Sequence, residues 1–144
     1  MRNAQIIASG SYAPKNRIPN SYFDKELKVN VSDWLEEVVK INYRHWAAQE
    51  ESTSDLCYEA SINCLASAGI KARELDLIIV ATDTPDFISP STATVLQDKL
   101  EAGNAGTFDI NSACAGFVTA LDIASKYIRS DEQYNNVLVL GAYA

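Results

Sequence analysis

Two periods of apolar residues alternate along the chain, and the points where one gives way to the other mark its elements. Ala4-Gln5-Ile6-Ile7-Ala8 is a short apolar run that stops at the turn formers Gly10-Ser11-Tyr12-Ala13-Pro14, the pattern of a first strand. After an irregular stretch carrying Pro19, Ser32 is placed to cap a helix in which Leu35, Val38, Val39 and Asn42 recur at i, i+3, i+4 and i+7. A second helix is predicted behind Ser52, Thr53 and Ser54, with Asp55 and Glu59 in its early turns. Leu56, Ala60, Cys64 and Ala68 follow at four-residue intervals, and Gly69 ends it. Leu75-Asp76-Leu77-Ile78-Ile79-Val80-Ala81 is too short for a helix and rich in β-branched side chains, so it reads as a buried strand that Thr84-Pro85-Asp86 breaks. Beyond Pro90, Ser91 opens a helix with Val95, Leu96 and Leu100 on one side, and Gly103-Asn104-Ala105-Gly106 leads into the strand Thr107-Phe108-Asp109-Ile110. A longer helix follows, with Phe117, Ala120, Leu121, Ala124 and Ile128 as its apolar stripe, and Asn135-Asn136 introduces a last strand over residues 137–140, ending at Gly141.

Strands separated by helices predict an α/β layered fold with a mainly parallel sheet. At 144 residues the chain suits one domain with its own core, and 47% hydrophobic and 22% charged residues exclude disordered and collagenous classes. The net charge of −7 and the scattered cations argue against nucleic acid, which requires a clustered basic face. No apolar run approaches the length that spans a bilayer, and the N-terminus lacks a signal-peptide pattern, so no membrane and a cytoplasmic location are expected. Three cysteines without paired spacing support neither a disulfide framework nor a zinc site. The most apolar strand lies three residues from the last residue, which fits either a fragment or a natural edge strand.

Chemistry concentrates at Phe108-Asp109-Ile110-Asn111-Ser112-Ala113-Cys114-Ala115-Gly116-Phe117, which runs strand, small-residue turn, helix. A thiol at such a helix start meets the positive end of the helix dipole and free backbone N–H groups, both of which favour the nucleophilic thiolate. Its small neighbours allow a carbonyl to approach, and a nearby N–H is positioned to stabilise the oxyanion of a thioester under attack. The opposing reading is that Cys114 is a buried small hydrophobe, as expected for Cys57 and Cys64 within their helix.

That stretch, with Gly10-Ser11-Tyr12-Ala13-Pro14, Ala81-Thr82-Asp83-Thr84-Pro85-Asp86 and Val137-Leu138-Val139-Leu140-Gly141, resembles the N-terminal portion of the 3-oxoacyl-acyl-carrier-protein synthase III family, collinearly over nearly all of the chain. The resemblance implies the N-terminal half of a thiolase-like layered α/β fold, with a mixed, mainly parallel sheet flanked by helices. Residues 1–144 would form a single domain truncated before the last strand of that half and contribute four of its five strands. It implies an acyltransferase of fatty-acid or polyketide-type biosynthesis in which Cys114 accepts an acyl primer as a thioester. Decarboxylative Claisen condensation with malonyl-acyl carrier protein would follow. Acyl-CoA and acyl carrier protein are the implied partners, with a homodimer and no metal or redox cofactor.

The family completes its catalytic triad with a histidine and an asparagine from its second half, so this chain alone is expected to be inactive in condensation. His45, in Arg44-His45-Trp46-Ala47, does not match that histidine and is expected to be surface or structural. The resemblance puts substrate-binding expectations on Trp34, which matches a tryptophan of the family's coenzyme A region, and on Phe87, in a loop that in the family approaches the dimer interface and acyl pocket. Around Trp34 the chain departs from the pattern: Val38 and Asn42 replace arginines, and Val39-Lys40 replaces a Thr-Gly pair. An aliphatic side chain offers phosphate no charged hydrogen bond. A thiolase-fold enzyme with a different acceptor, such as a hydroxymethylglutaryl-CoA synthase-like or secondary-metabolite ketosynthase, and a non-catalytic scaffold fragment both stay open at this point.

Overall fold

The structure, a computed structural model, describes residues 2–144. The single domain expected over residues 1–144 is organised as two compact units, Ala13–Glu51 and residues 2–12 with Ser52–Ala144.

In the smaller unit, β1 (Asn16–Pro19) leads into α1 (Asn20–Leu27) and α2 (Ser32–Glu37), and β2 (Tyr43–Trp46) returns antiparallel to β1. Asn20, 2% exposed, joins the pieces. Its amide donates to the Glu36 carboxylate and the Ile41 carbonyl and accepts from Arg44. The rings of Tyr22, Phe23 and Trp46 meet edge to face, and the Arg17 and Arg44 guanidiniums lie over Tyr43 and Phe23. The helix predicted from Ser32 to Asn42 stops at Glu37. Lys40 turns the chain with a left-handed φ of 62°, and the Ile41 N–H bonds back to the Leu35 carbonyl. Nor is Ser32 its cap: Val31 holds that position, and the backbone and hydroxyl of Ser32 donate to Asp24. These donations hold the Asp24 carboxyl below its usual range.

The larger unit runs α3 (Thr53–Ala68), β3 (Leu77–Ala81), α4 (Thr92–Lys99), β4 (Gly106–Ile110), α5 (Gly116–Ser130) and β5 (Val137–Gly141). Its sheet is parallel, in the order β4-β3-β5. All five residues of β3 are buried, as a strand covered on both faces requires. Each large aliphatic side chain among them stabilises the fold by about 1.5–3 kcal/mol. Ile78 and Val80, with Leu138 and Leu140 of β5, face Cys57, Leu65, Ala93, Leu96 and Leu100 from α3, α4 and the residue after α4. Leu77, Ile79 and Ala81 face Ala120 and Ala124 of α5. The chain moves one way from β3 to β4 and the opposite way from β4 to β5, so crossovers of the same hand place α4 and α5 on opposite faces.

α3 begins as predicted, with a capping box between Ser52 and Asp55, and ends at Gly69, whose left-handed φ of 67° suits glycine. Its buried face is Leu56, Cys57, Ser61 and Leu65, turned from the predicted series. Ser61 tolerates burial because its hydroxyl donates to the Cys57 carbonyl at 2.6 Å. In α5 the stripe is likewise turned: Ala120 and Ala124 are buried, while Phe117 is 45% exposed.

The predicted first strand over residues 4–8 does not form, and the sheet has three strands where four were expected. A strand exists only where its N–H and C=O groups meet a ladder. This segment is instead tethered at its ends, by Arg2 on Asn135 and by the Ser11 carbonyl accepting from Asn63, and Ile6 and Ile7 stay exposed. Between the tethers, Gly10 lies so close to α3 that an added Cβ would stand 2.3 Å from the Cys64 nitrogen.

Candidate active site

A parallel sheet gathers at one end the loops that follow its strands, which is where open α/β sheets carry their ligands. Residues 82–91 follow β3, 111–115 follow β4 and 142–144 follow β5. They are stitched together: the Thr82 N–H donates to the Ile110 carbonyl, the Ala142 N–H to the Ala81 carbonyl and the Ala144 N–H to the Thr84 hydroxyl.

Cys114 stands at this end, in a single 3-10 turn, Ala113–Ala115, between β4 and α5. The turn places it two residues ahead of α5, whose N-cap is Ala115. The reversal occurs at Ala113, whose φ of 45° is left-handed. That conformation costs a residue with a Cβ about 1–2 kcal/mol. The Ala115 N–H closes on the Ser112 carbonyl and the Gly116 N–H on the Ala113 carbonyl. Gly116 lets α5 start against the end of β3, since a Cβ there would lie 3.3 Å from that of Ala81. Residues 111–115 are all exposed.

The three cysteines have different environments. Cys57 is 1% exposed, and burial, with the Asp86 and Asp109 carboxylates adding, pushes its thiol up to about 12. Cys64 is half-buried, and burial raises its thiol as well. Cys114 is exposed, against the reading of it as a buried hydrophobe.

Two aspartates, Asp86 in the loop after β3 and Asp109 on β4, hold helices. Asp109, on β4, accepts from the Thr92 and Ala93 N–H groups at 2.6 and 2.8 Å, while Ser91 accepts from Thr94, so the first turn of α4 is satisfied. Asp86 accepts from the Ser54 N–H at the start of α3 and donates its own N–H to the Thr92 hydroxyl. The sequence reading passed over both capping roles. Neither aspartate gives a capping signal in the sequence, because the N–H groups it accepts from lie 32 residues upstream for Asp86 and 17 for Asp109. Ala113 escaped notice for a related reason: left-handed backbone is signalled by glycine, and none is there.

Phe87 and Ile88 lie in the loop after β3, 57% and 104% exposed, so neither folds back onto its own domain. The Ser89-Pro90 peptide in this loop is cis. Trp34 sits on α2 of the smaller unit at 59% exposure, and Leu35, not Trp34, anchors that helix. Val38 is 66% exposed. His45 lies exposed on β2, its Nδ1 donating to the Pro14 carbonyl. Among the described residues no group of three or more His, Cys, Asp or Glu side chains is placed to hold a metal ion. Among the described residues no helix is long and apolar enough to cross a membrane. Two open depressions, of about 390 and 330 Å³, lie against α4 and the turn at residues 72–74, and Cys114 lines neither.

Residues 108–144, which contain this turn, match the family described as 3-Oxoacyl-[acyl-carrier-protein (ACP)] synthase III. Over 142 residues, 99% of this chain, the sequence is 47% identical to the beta-ketoacyl-[acyl-carrier-protein] synthase III of Clostridium perfringens (strain SM101 / Type A), covering 43% of that protein. The fold matches the crystal structure of 3-oxoacyl-[acyl-carrier-protein] synthase III from Aquifex aeolicus VF5 with a TM-score of 0.87 at 41% identity, covering 96% of this chain and 44% of that one. It matches the priming beta-ketosynthase from the R1128 polyketide biosynthetic pathway with a TM-score of 0.90 at 30% identity, covering 99% and 42%. The chain spans less than half the length of the curated relatives it matches. In sequence and in its thiolase-type α/β fold, this chain matches part of the 3-oxoacyl-[acyl-carrier-protein] synthase III enzymes over nearly all of its own length.

Proposed function

We propose that this chain provides the acyl-accepting nucleophile of a 3-oxoacyl-acyl-carrier-protein synthase III, in fatty-acid or polyketide-type biosynthesis. The observation that carries the reading is the placement of Cys114, exposed in a left-handed turn at the carboxyl end of a parallel sheet and inside the segment matched to the family. The Cys114 sulfur attacks the carbonyl carbon of an acyl thioester, and the tetrahedral oxyanion collapses with loss of the donor's thiol, which takes up the proton. With the Ala115 and Gly116 N–H groups engaged inside the turn, the Cys114 N–H is the donor for that oxyanion. In the second half-reaction a malonyl thioester on acyl carrier protein loses carbon dioxide. Its enolate carbon bonds to the acyl carbon, and the Cys114 thiolate leaves.

Condensation requires the histidine and asparagine that the resemblance assigns to the family's other half. His45, engaged with Pro14, is not a candidate, so the 144-residue chain is acylated without condensing. The proposal further gives Trp34 a place in donor binding and Phe87 a place at the acyl pocket and dimer interface of a cytoplasmic homodimer. With exposed Val38 where the family pattern has arginine, the surface around Trp34 suits an acyl-carrier donor better than coenzyme A.

The test is the intact mass of the chain after incubation with acyl-coenzyme A and acyl-carrier thioesters, with Cys114→Ala as control. An acyl adduct absent from the control is the expected result. Absence of an adduct with every donor would overturn the reading, and equal or better use of coenzyme A donors would overturn the donor preference alone.

A further inference from the structure

Phe117 follows Cys114 by three residues, across the 3-10 turn and into α5. Side chains three apart on such turns are neighbours on one side of the helix. Although the sequence pattern puts Phe117 on the core stripe, 45% of it is exposed, while Ala120 and Ala124 below it are buried. Its ring is nonetheless held in place. At Gly141, the end of β5, an added Cβ would lie 3.2 Å from Phe117 Cδ2 and 3.6 Å from its Cβ and Cγ, so the ring rests against the β5 backbone where glycine leaves room. An aromatic ring seated on the end of β5, partly uncovered and three residues after the nucleophile, is spaced to offer a fixed apolar surface to what the sulfur carries.

We infer that Phe117, seated on Gly141, is a specificity-determining wall for the acyl chain carried by Cys114. This rests on the acyl-accepting role of Cys114. Truncating the ring opens space beside the thioester and admits longer chains, because each methylene accommodated or refused in an apolar site changes discrimination by about tenfold or more.

The test measures adduct formation on Cys114 by intact mass, using the acetyl, butyryl, hexanoyl and octanoyl thioesters of N-acetylcysteamine, which remove donor recognition from the readout. The wild-type chain is compared with Phe117→Ala, with Phe117→Leu, which retains an apolar side chain should the alanine variant fold poorly, and with Val118→Ala. Val118 is 69% exposed and one residue further round the helix. Circular dichroism confirms the fold of each variant. The expected result is an octanoyl-to-acetyl rate ratio raised about tenfold in Phe117→Ala, raised less in Phe117→Leu, and unchanged in Val118→Ala. Folded Phe117 variants with the wild-type ratio, or an equal shift in Val118→Ala, would overturn the inference while leaving Cys114 as the acceptor. A wild-type chain that forms no adduct would overturn the acceptor role, and the inference with it.

Discussion

Asp109 stands five residues before Cys114 in the most informative stretch of the chain, and its assignment as a helix cap rather than a catalytic acid makes a quantitative prediction. Its carboxylate accepts from the N–H groups of Thr92 and Ala93, two residues with no exposed surface. In Asp109→Ala both donors lose their acceptor in a place water does not reach, and a buried unsatisfied donor costs about 1–3 kcal/mol. The third N–H of α4 keeps its bond to Ser91, so the helix survives with a weakened start. The loss of stability is therefore expected at about 2–4 kcal/mol. With a urea m-value of about 2 kcal/mol per molar for a domain of this size, the unfolding midpoint moves down by about 1–2 M. Asp109→Asn retains one acceptor oxygen and is expected to lose about half as much. Urea unfolding followed by circular dichroism gives the midpoints, and intact mass after acyl-thioester treatment reports on Cys114 in the same samples. Because Asp109 touches α4 and not the sulfur, Asp109→Asn keeps the wild-type rate of acylation. A folded Asp109→Asn that no longer acylates, or an Asp109→Ala as stable as wild type, would refute the capping argument.

Thiol titration at neutral pH is expected to modify Cys114 first and Cys64 more slowly, with Cys57 reacting only on unfolding, because burial raises its thiol to about 12; prompt labelling of native Cys57 would contradict this. Asp55 has its carboxyl lowered from 3.8 to about 2, first by the hydrogen bond from Lys99 and then by that from the Ser52 N–H. A depressed folded-state value means the stabilisation is present above about pH 4 and is lost as pH falls toward 2. Since the Asp55 side chain is 42% exposed, solvent screening reduces this to about 1 kcal/mol, and Asp55→Asn should flatten that part of the acid unfolding curve. Gly10→Ala would drive a methyl into the α3 backbone, within 2.6 Å of the Ala60 oxygen and 2.7 Å of Cys64 Cα. Limited proteolysis is expected to cut residues 2–12 faster while the sheet stays intact. In amide exchange, Val137, Val139 and Gly141 are expected to exchange ahead of Leu138 and Leu140. The bond from the Ala142 N–H to Ala81 sets an alternation in which the even residues of β5 face β3 and the odd ones face its outer edge; uniform protection along β5 would contradict that register.

Where one segment carries its own reasons, the sequence alone determined the outcome. The β-branched run around Ile78 and Ile79 is a strand wherever it is buried, Ser52 and Asp55 cap α3 from within four residues, Gly69 ends it, and Ser91 opens α4. The small-residue turn around Cys114 was legible in the same way, because a strand, a turn and a helix met there in sequence. What required partners was decided by the tertiary structure. Residues 4–8 have the composition of a strand but no ladder to join, and β1 and β2 are too short and polar to show a period until Asn20 and the aromatic rings bring them together. The apolar stripes of α3 and α5 are turned because Ser61 satisfies its own hydroxyl and Phe117 rests on Gly141. Asp86 and Asp109 became caps only when folding brought them to the starts of α3 and α4. Capping boxes, glycine stops and β-branched runs act over a few residues, whereas a ladder partner or a distant carboxylate becomes a neighbour only through the fold.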